Sequence, residues 1–313
     1  MPFTRLLGSM KSEKIGIVVM KKTKVLVIAL ALAFISLGLI QSSLAESTVY
    51  IGVLAKRGAG KAFQQWGPTA EYLSKRLKKD IKILPLKFTE IEPALKSNKI
   101  DFLLANSAFY ARLEEKYGLK AILTMANRRG IVALDEFGGV IFARRNGNIK
   151  ELKDIKGKKF MCVKYSSFGG AHMAWRLLLE SGIDPKKDCA AFLEGKTHDN
   201  VVMAVKKGLV DVGTVRSDTL ERMADEGKIS MGDFTIINQT NDGFPFVHST
   251  RLYPEWPFAA CAKATPELRK KVAKALYLIK GDHPAMVASK VFSWTRPAKY
   301  SEVKACLRII GEL

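Results

Sequence analysis

The stretch FMCVKYSSFGGAHMAWRLLLESGIDPKKDCAAFLEGKTHDN, from Phe160 to Asn200, decides the fold. A short apolar run, Phe160 to Val163, leads into Tyr165-Ser166-Ser167-Phe168-Gly169-Gly170. Ala171, Ala174, Trp175 and Leu178 then recur at helical spacing, and Gly182 suits the position just past a helix end. The pattern is strand, hydroxyl- and glycine-containing turn, helix. The first N–H groups of a helix have no intrahelical partner and sit at its positive end, so this turn is a ready place for an anion. A second apolar run, Ala190 to Leu193, leads into Thr197-His198-Asp199-Asn200 at the head of another helix. In a parallel sheet both turns emerge at the C-terminal edge, where ligands of α/β proteins bind. Ser and Thr at helix starts also serve as plain N-caps, so the rest of the chain must separate the two roles.

The first residues read as a targeting segment. Met20-Lys21-Lys22-Thr23-Lys24 is a basic start, Val25 to Ile40 is an almost unbroken apolar run, and Ser43-Leu44-Ala45 supplies small residues for cleavage after Ala45. Met1 and Met20 are both candidate starts. The apolar run is shorter than the ~20 residues that span a bilayer, which argues against an uncleaved anchor. The chain carries a net charge of +21, of which residues 1–45 contribute +5, leaving +16 for the exported part. Such a charge in a cytoplasmic protein points first to nucleic acid; export turns it toward a small anionic ligand, an anionic membrane surface or solubility alone. The lipid-surface reading finds no amphipathic anchor helix after the cleavage point.

The four cysteines, Cys162, Cys189, Cys261 and Cys306, form no C-x-x-C. Zinc-ribbon and thioredoxin-type readings therefore fail. An even count in an exported chain allows two disulfides, with proximity favouring 162–189 and 261–306; four free buried thiols are the other reading. No cofactor or metal cluster is suggested.

Before the central stretch, strands are expected at Val49 to Leu54, Ile81 to Leu86, Asp101 to Leu104 and Lys120 to Ala126. Helices are expected to begin at Pro68, at a capping box Thr89-Glu90-Ile91-Glu92, and at Asn106-Ser107, the last ending near Gly118. Gly60-Lys61 fails as a P-loop, since Ala55 and Ala62 stand where Gly and Ser/Thr are required. After Gly138 to Ala143 the alternation restarts, with strands near 159–163, 190–193, 210–215 and 234–238. Tyr253 to Ala260 runs extended, and helices near 266–280, 283–292 and 300–310 close the chain without a further sheet. Two α/β units joined by two crossing strands make a clam-shell with a central cleft.

Several segments together resemble the phosphate/phosphonate-type (PhnD-like) periplasmic substrate-binding proteins. They are Trp66-Gly67-Pro68 with Tyr72-Leu73; Lys99-Ile100-Asp101 with Ala108-Phe109-Tyr110; Ser166 to Gly170; Ser181-Gly182-Ile183-Asp184-Pro185; Thr197-His198-Asp199; and Gly208 to Val215. Asp211 to Met223 and Ser249 to Ala259 are similar to the periplasmic part of tetrathionate-type sensor histidine kinases, and no kinase domain is expected within these 313 residues. The resemblance implies a type II two-lobed periplasmic binding protein, each lobe a mostly parallel sheet flanked by helices, with two crossing strands as the hinge. It divides the chain into a signal region over 1–45, lobe one over 46–138, lobe two over 139–255, and a return to lobe one with C-terminal helices over 256–313.

The resemblance also implies a site. Ser166, Ser167 and His198 hold the oxyanion head, with Phe168 and Gly169 in the same turn and Asn106, Ser107 and Tyr110 from lobe one. Phe168 departs from the Ser/Thr-Ser-Gly of the transporter proteins and alters the cleft. Arg216, beside Ser217 at a strand end, is placed to supply a guanidinium fork to an oxyanion, or else to form a surface or interlobe salt bridge. The expected protein is a periplasmic monomer that binds no nucleic acid. It captures a small phosphorus or sulfur oxyanion and serves either the membrane permease of an ABC transporter or a sensor histidine kinase. A ligand-sensing accessory role without transport is one alternative. An enzyme built on Cys162 and His198 is the alternative of another class, weakened by the apolar run around Cys162.

Overall fold

In the computed structural model, residues 48–313 are described apart from 56–57, 130–131 and 280; the expected leader and its cleavage point lie outside the described residues. Val49–Leu54 (β1) alternates between two cores, with Val49, Ile51 and Val53 on one face and Tyr50 and Leu54 on the other. A strand buried on both faces belongs inside a parallel sheet covered by helices. β1 pairs in parallel with Ile81–Leu86 (β2) and Phe102–Leu104 (β3). The helices Ala59–Leu77 (α1), Phe88–Lys96 (α2) and Ser107–Tyr117 (α3) follow these strands. Lys120–Arg129 (β4) carries a short partner, Val132–Leu134 (β5).

The chain then leaves this sheet through Glu136–Phe137 (β6) and enters a second sheet at Gly139–Arg144 (β7). Lys159–Cys162 (β8), Ala191–Glu194 (β9), Val212–Arg216 (β10) and Phe234–Ile237 (β11) complete it in the order β11-β7-β10-β8-β9. β8 is parallel to both β9 and β10, while β7 is antiparallel to β10 and β11. The helical segment 168–180 (α4) follows β8; Pro185–Asp188 (α5), His198–Lys206 (α6) and Thr219–Asp225 (α7) come after.

The return strand Tyr253–Pro254 (β12) pairs antiparallel with β6, Tyr253 opposite Phe137, and this two-stranded ribbon is the hinge. Pro257–Ala260 (β13) re-enters the first sheet between β3 and β4, antiparallel to both. Pro266–Leu278 (α8), Pro284–Ser289 (α9), Val291–Thr295 (β14) and Ser301–Ile309 (α10) follow. The result is the type II binding-protein architecture expected from the sequence, two helix-flanked sheets with paired crossing strands; both sheets are mixed rather than mostly parallel, because the returning strands β13 and β14, with β4, and the crossing strand β7 pair antiparallel to their neighbours.

Three local expectations are corrected. α1 starts at Ala59 and carries Pro68 inside it. The capping box of α2 is formed by Lys87 and Glu90, the Glu90 carboxylate accepting from Lys87 N at 2.8 Å, so the helix begins two residues earlier than Thr89 suggested. The tail does add a strand: α9 stops at Lys290 in the left-handed region (φ 60), and the β-branched and aromatic run Val291–Thr295 pairs antiparallel with β4. Trp294 seals this edge by packing on Trp66 and Phe258.

All four cysteines are free thiols, the second of the two readings the sequence left open. Register explains the first pair. Cys162 lies opposite Glu194, whereas Cys189 precedes the start of β9 by two residues, so the two sit at opposite ends of the strand pair. That separation is about 16 Å along the strand, well beyond bridging reach. Cys261 and Cys306 share a core but are buried in separate settings, Cys306 Sγ pointing at His172 O at 3.5 Å. Burial pushes the thiols of Cys162, Cys261 and Cys306 up to about 12.

Two predictions follow from this packing. A thiol reagent applied to the native chain leaves Cys162, Cys261 and Cys306 unmodified, all four cysteines react after denaturation, and reductant does not change the melting temperature; a reductant-dependent melt would show a bridge. The second concerns His172, fully buried, whose Nε2–H donates to Tyr165 O at 2.5 Å while Nδ1 meets no partner. Burial, with Arg112, lowers its pKa to about 4. The unfolded chain takes up this proton at its ordinary pKa of about 6.5 and the folded chain does not, so stability falls as pH drops from about 6.5 toward 4 and is flat below that. Between pH 6.5 and 5 the loss from this group is about 2 kcal/mol, and His172→Gln removes it from a urea-denaturation series.

Candidate functional site

The parallel pairing of β8 with β9 and β10 sets three strand ends side by side. Beyond Cys162 and Glu194 the two chains stay joined: Gly195 N donates to Cys162 O at 2.8 Å, Lys196 N to Val163 O at 2.8 Å, and Tyr165 N to Glu194 Oε1 at 2.5 Å. This places the 164–167 turn beside the head of α6. The third strand ends at Arg216, whose N–H donates to His198 Nδ1 at 3.4 Å. An accepting Nδ1 puts the proton of the neutral imidazole on Nε2, making that nitrogen a donor. Thr197, the N-cap, accepts from Asn200 N at 3.1 Å, and Asp199 turns away toward Arg222 and Lys228.

The turn itself is built for an unusual helix start. Val163 N donates to Gly170 O at 3.0 Å, so the Gly170 carbonyl is drawn out of the helix, and residues 168–172 take the wider π pattern, with Met173 N reaching Phe168 O. A β-carbon on Gly170 would meet Val163 Cγ2 at 2.5 Å, and one on Gly169 would meet Phe137 Cε2 at 2.6 Å. Both glycines let the helix start press against the strand end and the hinge. Ser167 occupies the N-cap position without capping through its side chain, and Ser166 is exposed beside it.

The other sequence-derived residues divide clearly. Phe168 is buried against the hinge, edge-on to Tyr253 at 5.0 Å and to Phe137 at 6.1 Å between ring centroids. Asn106 caps α3, its side chain accepting from Phe109 N at 2.9 Å. Ser107 is fully buried and donates to Pro254 O of the hinge at 2.7 Å. Tyr110 lies in the core of the first sheet, its hydroxyl donating to Glu114 at 2.7 Å and accepting from Ala121 N at 2.9 Å; burial and Glu114 raise its pKa. Ser217 is buried and accepts from Gly138 N at 3.2 Å. Arg216 follows the salt-bridge alternative: its guanidinium binds Glu255 at 2.7 Å and Asp218 at 3.2 Å over the ring of Phe137. The structure thus brings Ser166, Ser167 and His198 together at one edge and turns the remaining residues to structural partners.

The lobe-one edge presents residues that sequence reasoning passed over. Phe88, directly after the residue that follows β2, and Phe109, in the first turn of α3, form an edge-to-face pair with centroids 5.1 Å apart. Phe88 is exposed and Phe109 half-buried. Their signal was placement: each is an apolar ring just beyond the C-terminal end of a parallel strand, Phe109 packing on the core with one side and meeting Phe88 with the other. A cavity of about 490 Å³ lies elsewhere, between α4 and the 238–253 segment; Arg176 and Arg251 line it, but they are engaged by Glu180 and Glu302. None of Ser166, Ser167 and His198 lines that cavity.

Comparison with known proteins bears on the fold and the family. The tetrathionate sensor histidine kinase of Salmonella typhimurium is 29% identical over 279 residues, covering 88% of this chain; the chain spans about half of that protein, 46% of its length. Among solved structures, a Xanthomonas citri protein bound to ATP superposes with a TM-score of 0.67 at 20% identity, covering 86% of this chain and all of that one. A PhnD protein from Prochlorococcus marinus in complex with methylphosphonate superposes with a TM-score of 0.61 at 13% identity, covering 85% and 99%. These two share the fold. Residues 51–303 match the family described as the periplasmic substrate-binding protein of phosphonate ABC transporters, and the chain belongs to that family.

Proposed function

We propose that the chain is an extracytoplasmic binding protein for a small oxyanion that carries an apolar or polarisable body, held between the two lobes. One observation carries this reading: Ser166, Ser167 and His198 converge at three adjacent strand ends beside two helix starts. Hydroxyls, first-turn N–H groups and an imidazole N–H are all donors, which suits an anion that needs no deprotonation and no chemistry. The Phe88–Phe109 pair supports the second half of the reading, since an apolar wall adds affinity only for a ligand with an apolar or polarisable portion. A phosphonate substituent and the sulfur chain of a polythionate both meet that description.

Delivery to an ABC permease is the role supported by the family; reporting to a sensor kinase is supported by the likeness to the Salmonella typhimurium protein. The Cys162–His198 enzyme reading loses support, because Cys162 is fully buried and burial, with Glu194, pushes its thiol up to about 12.

A thermal-shift series on residues 46–313 tests the proposal with phosphate, methylphosphonate, sulfate, thiosulfate and tetrathionate. Methylphosphonate or tetrathionate is expected to stabilise the chain more than phosphate or sulfate. Ser167→Ala with His198→Ala is expected to weaken the best ligand at least about a hundredfold, from two lost charge-assisted hydrogen bonds, with the ligand-free melt unchanged. An unaltered affinity in that double variant removes the site assignment. Phe109→Ala is expected to weaken methylphosphonate or tetrathionate while leaving phosphate binding as it was; equal losses for both would show that the ring only supports the fold.

A further inference from the structure

Four charged side chains meet beside the hinge in a reciprocal arrangement. Arg129 ends β4 of the first sheet and pairs with Asp218, which follows β10 of the second. Arg216 ends β10 of the second sheet and pairs at 2.7 Å with Glu255, which lies between the hinge strand β12 and β13 of the first. Glu255 is anchored on the first-sheet side, its N–H donating to Asp135 O at 2.7 Å and its carbonyl accepting from Tyr300 Oη at 2.7 Å. Each lobe therefore contributes one guanidinium and one carboxylate, and each pair crosses between lobes. Asp218 links the two pairs through Arg216 at 3.2 Å, and Phe137 of the hinge strand lies 4.3 Å beneath the Arg216 guanidinium.

The two carboxylates are withdrawn from water, and the guanidiniums are partly so. Glu255 is fully buried and Asp218 is 8% exposed. Screening by salt is weak at such depth, and a lone charge left there is costly, so the pairs hold only while the lobes are together. Asp218 is also kept at φ 72, a backbone conformation that Asp tolerates better than most residues, with its carboxylate between both guanidiniums.

We propose that this quartet is a built-in latch that holds the two lobes at a fixed closure angle without ligand. Ligand binding at the strand-end donors then starts from a largely closed chain, and opening requires both interlobe pairs to part. The proposal concerns the ligand-free protein and does not depend on which anion the cleft takes.

The test is an interlobe distance measurement on the chain with spin labels at Lys75→Cys in lobe one and Lys207→Cys in lobe two, both exposed positions. The native thiols most deeply buried stay silent under native labelling, and a control without the two new cysteines corrects for Cys189. The parent chain is expected to give one narrow distance distribution without ligand. Asp218→Asn keeps the left-handed backbone but leaves two guanidiniums facing one carboxylate, and it is expected to broaden and lengthen the distribution most. Arg129→Gln is expected to do so less, because Arg216 still holds Asp218, and the double variant is expected to match Asp218→Asn. Folded single variants whose distributions stay as narrow and as short as the parent's would overturn the latch. If Arg129→Gln does not fold, Arg129→Lys, which keeps the charge and loses the fork, is read in its place, and an unchanged distribution there overturns the proposal equally.

Discussion

Gly169 is the constraint on which the arrangement rests. A β-carbon at this position would come within 2.6 Å of the Phe137 ring and 3.0 Å of Arg216 Cβ, so only glycine lets the start of α4 sit directly on the hinge. Phe168 then closes the contact by packing on Tyr253 and Phe137, the two residues that face each other across the crossing strands. Burying such a ring is worth roughly 1.5–3 kcal/mol, comparable to a sizeable share of the net stability of a domain. The turn after β8 is thus mechanically continuous with the crossing ribbon. In the proposed site, a ligand held at that turn would pull on a rigid contact.

The same crowding decides how charge is used. The chain is strongly basic, with a net charge of +21, yet the guanidinium at the end of β10 is committed to the carboxylates of Asp218 and Glu255. Desolvation lowers the pKa of Arg129, with the neighbouring Arg216 adding to it, while Asp218 and Glu255 oppose that shift. With those two cations paired, the proposed site is left with N–H and O–H donors, which bind by direction and distance and so discriminate among ligand shapes better than a bare positive field does.

The alternation of strand and helix, the hydroxyl turn after β8, the Gly118 and Gly182 helix stops and the two-lobed plan were legible, because period, capping and glycine signals are local. Three features were not. The strand Val291–Thr295 reads like the continuation of a helix until β4 is known to have an open edge beside it. Tyr110 and Phe109 are consecutive, and sequence reasoning assigned the cleft role to the one with the hydroxyl; the helix phase places Tyr110 in the core and Phe109 at the edge. The choice between paired and free cysteines was left open in the sequence because it depends on register: neighbouring strands do not bring Cys162 and Cys189 opposite one another.

What the sequence determined by itself is the set of elements and the chemistry available at their ends: two helix starts with hydroxyls, a histidine, and glycines where the backbone must come close. Those are consequences of local propensity and side-chain type. Only the tertiary structure decided which of these groups share an edge and which are spent elsewhere. Parallel pairing of β8 with β9 and β10 joined Ser166, Ser167 and His198, which are separated by up to 32 residues in the chain. The hinge took Arg216, Ser217, Ser107 and Phe168 for itself. Partner choice among buried polar groups depends on distances that span the whole chain, because an unpaired buried charge or N–H costs more than any local preference can return.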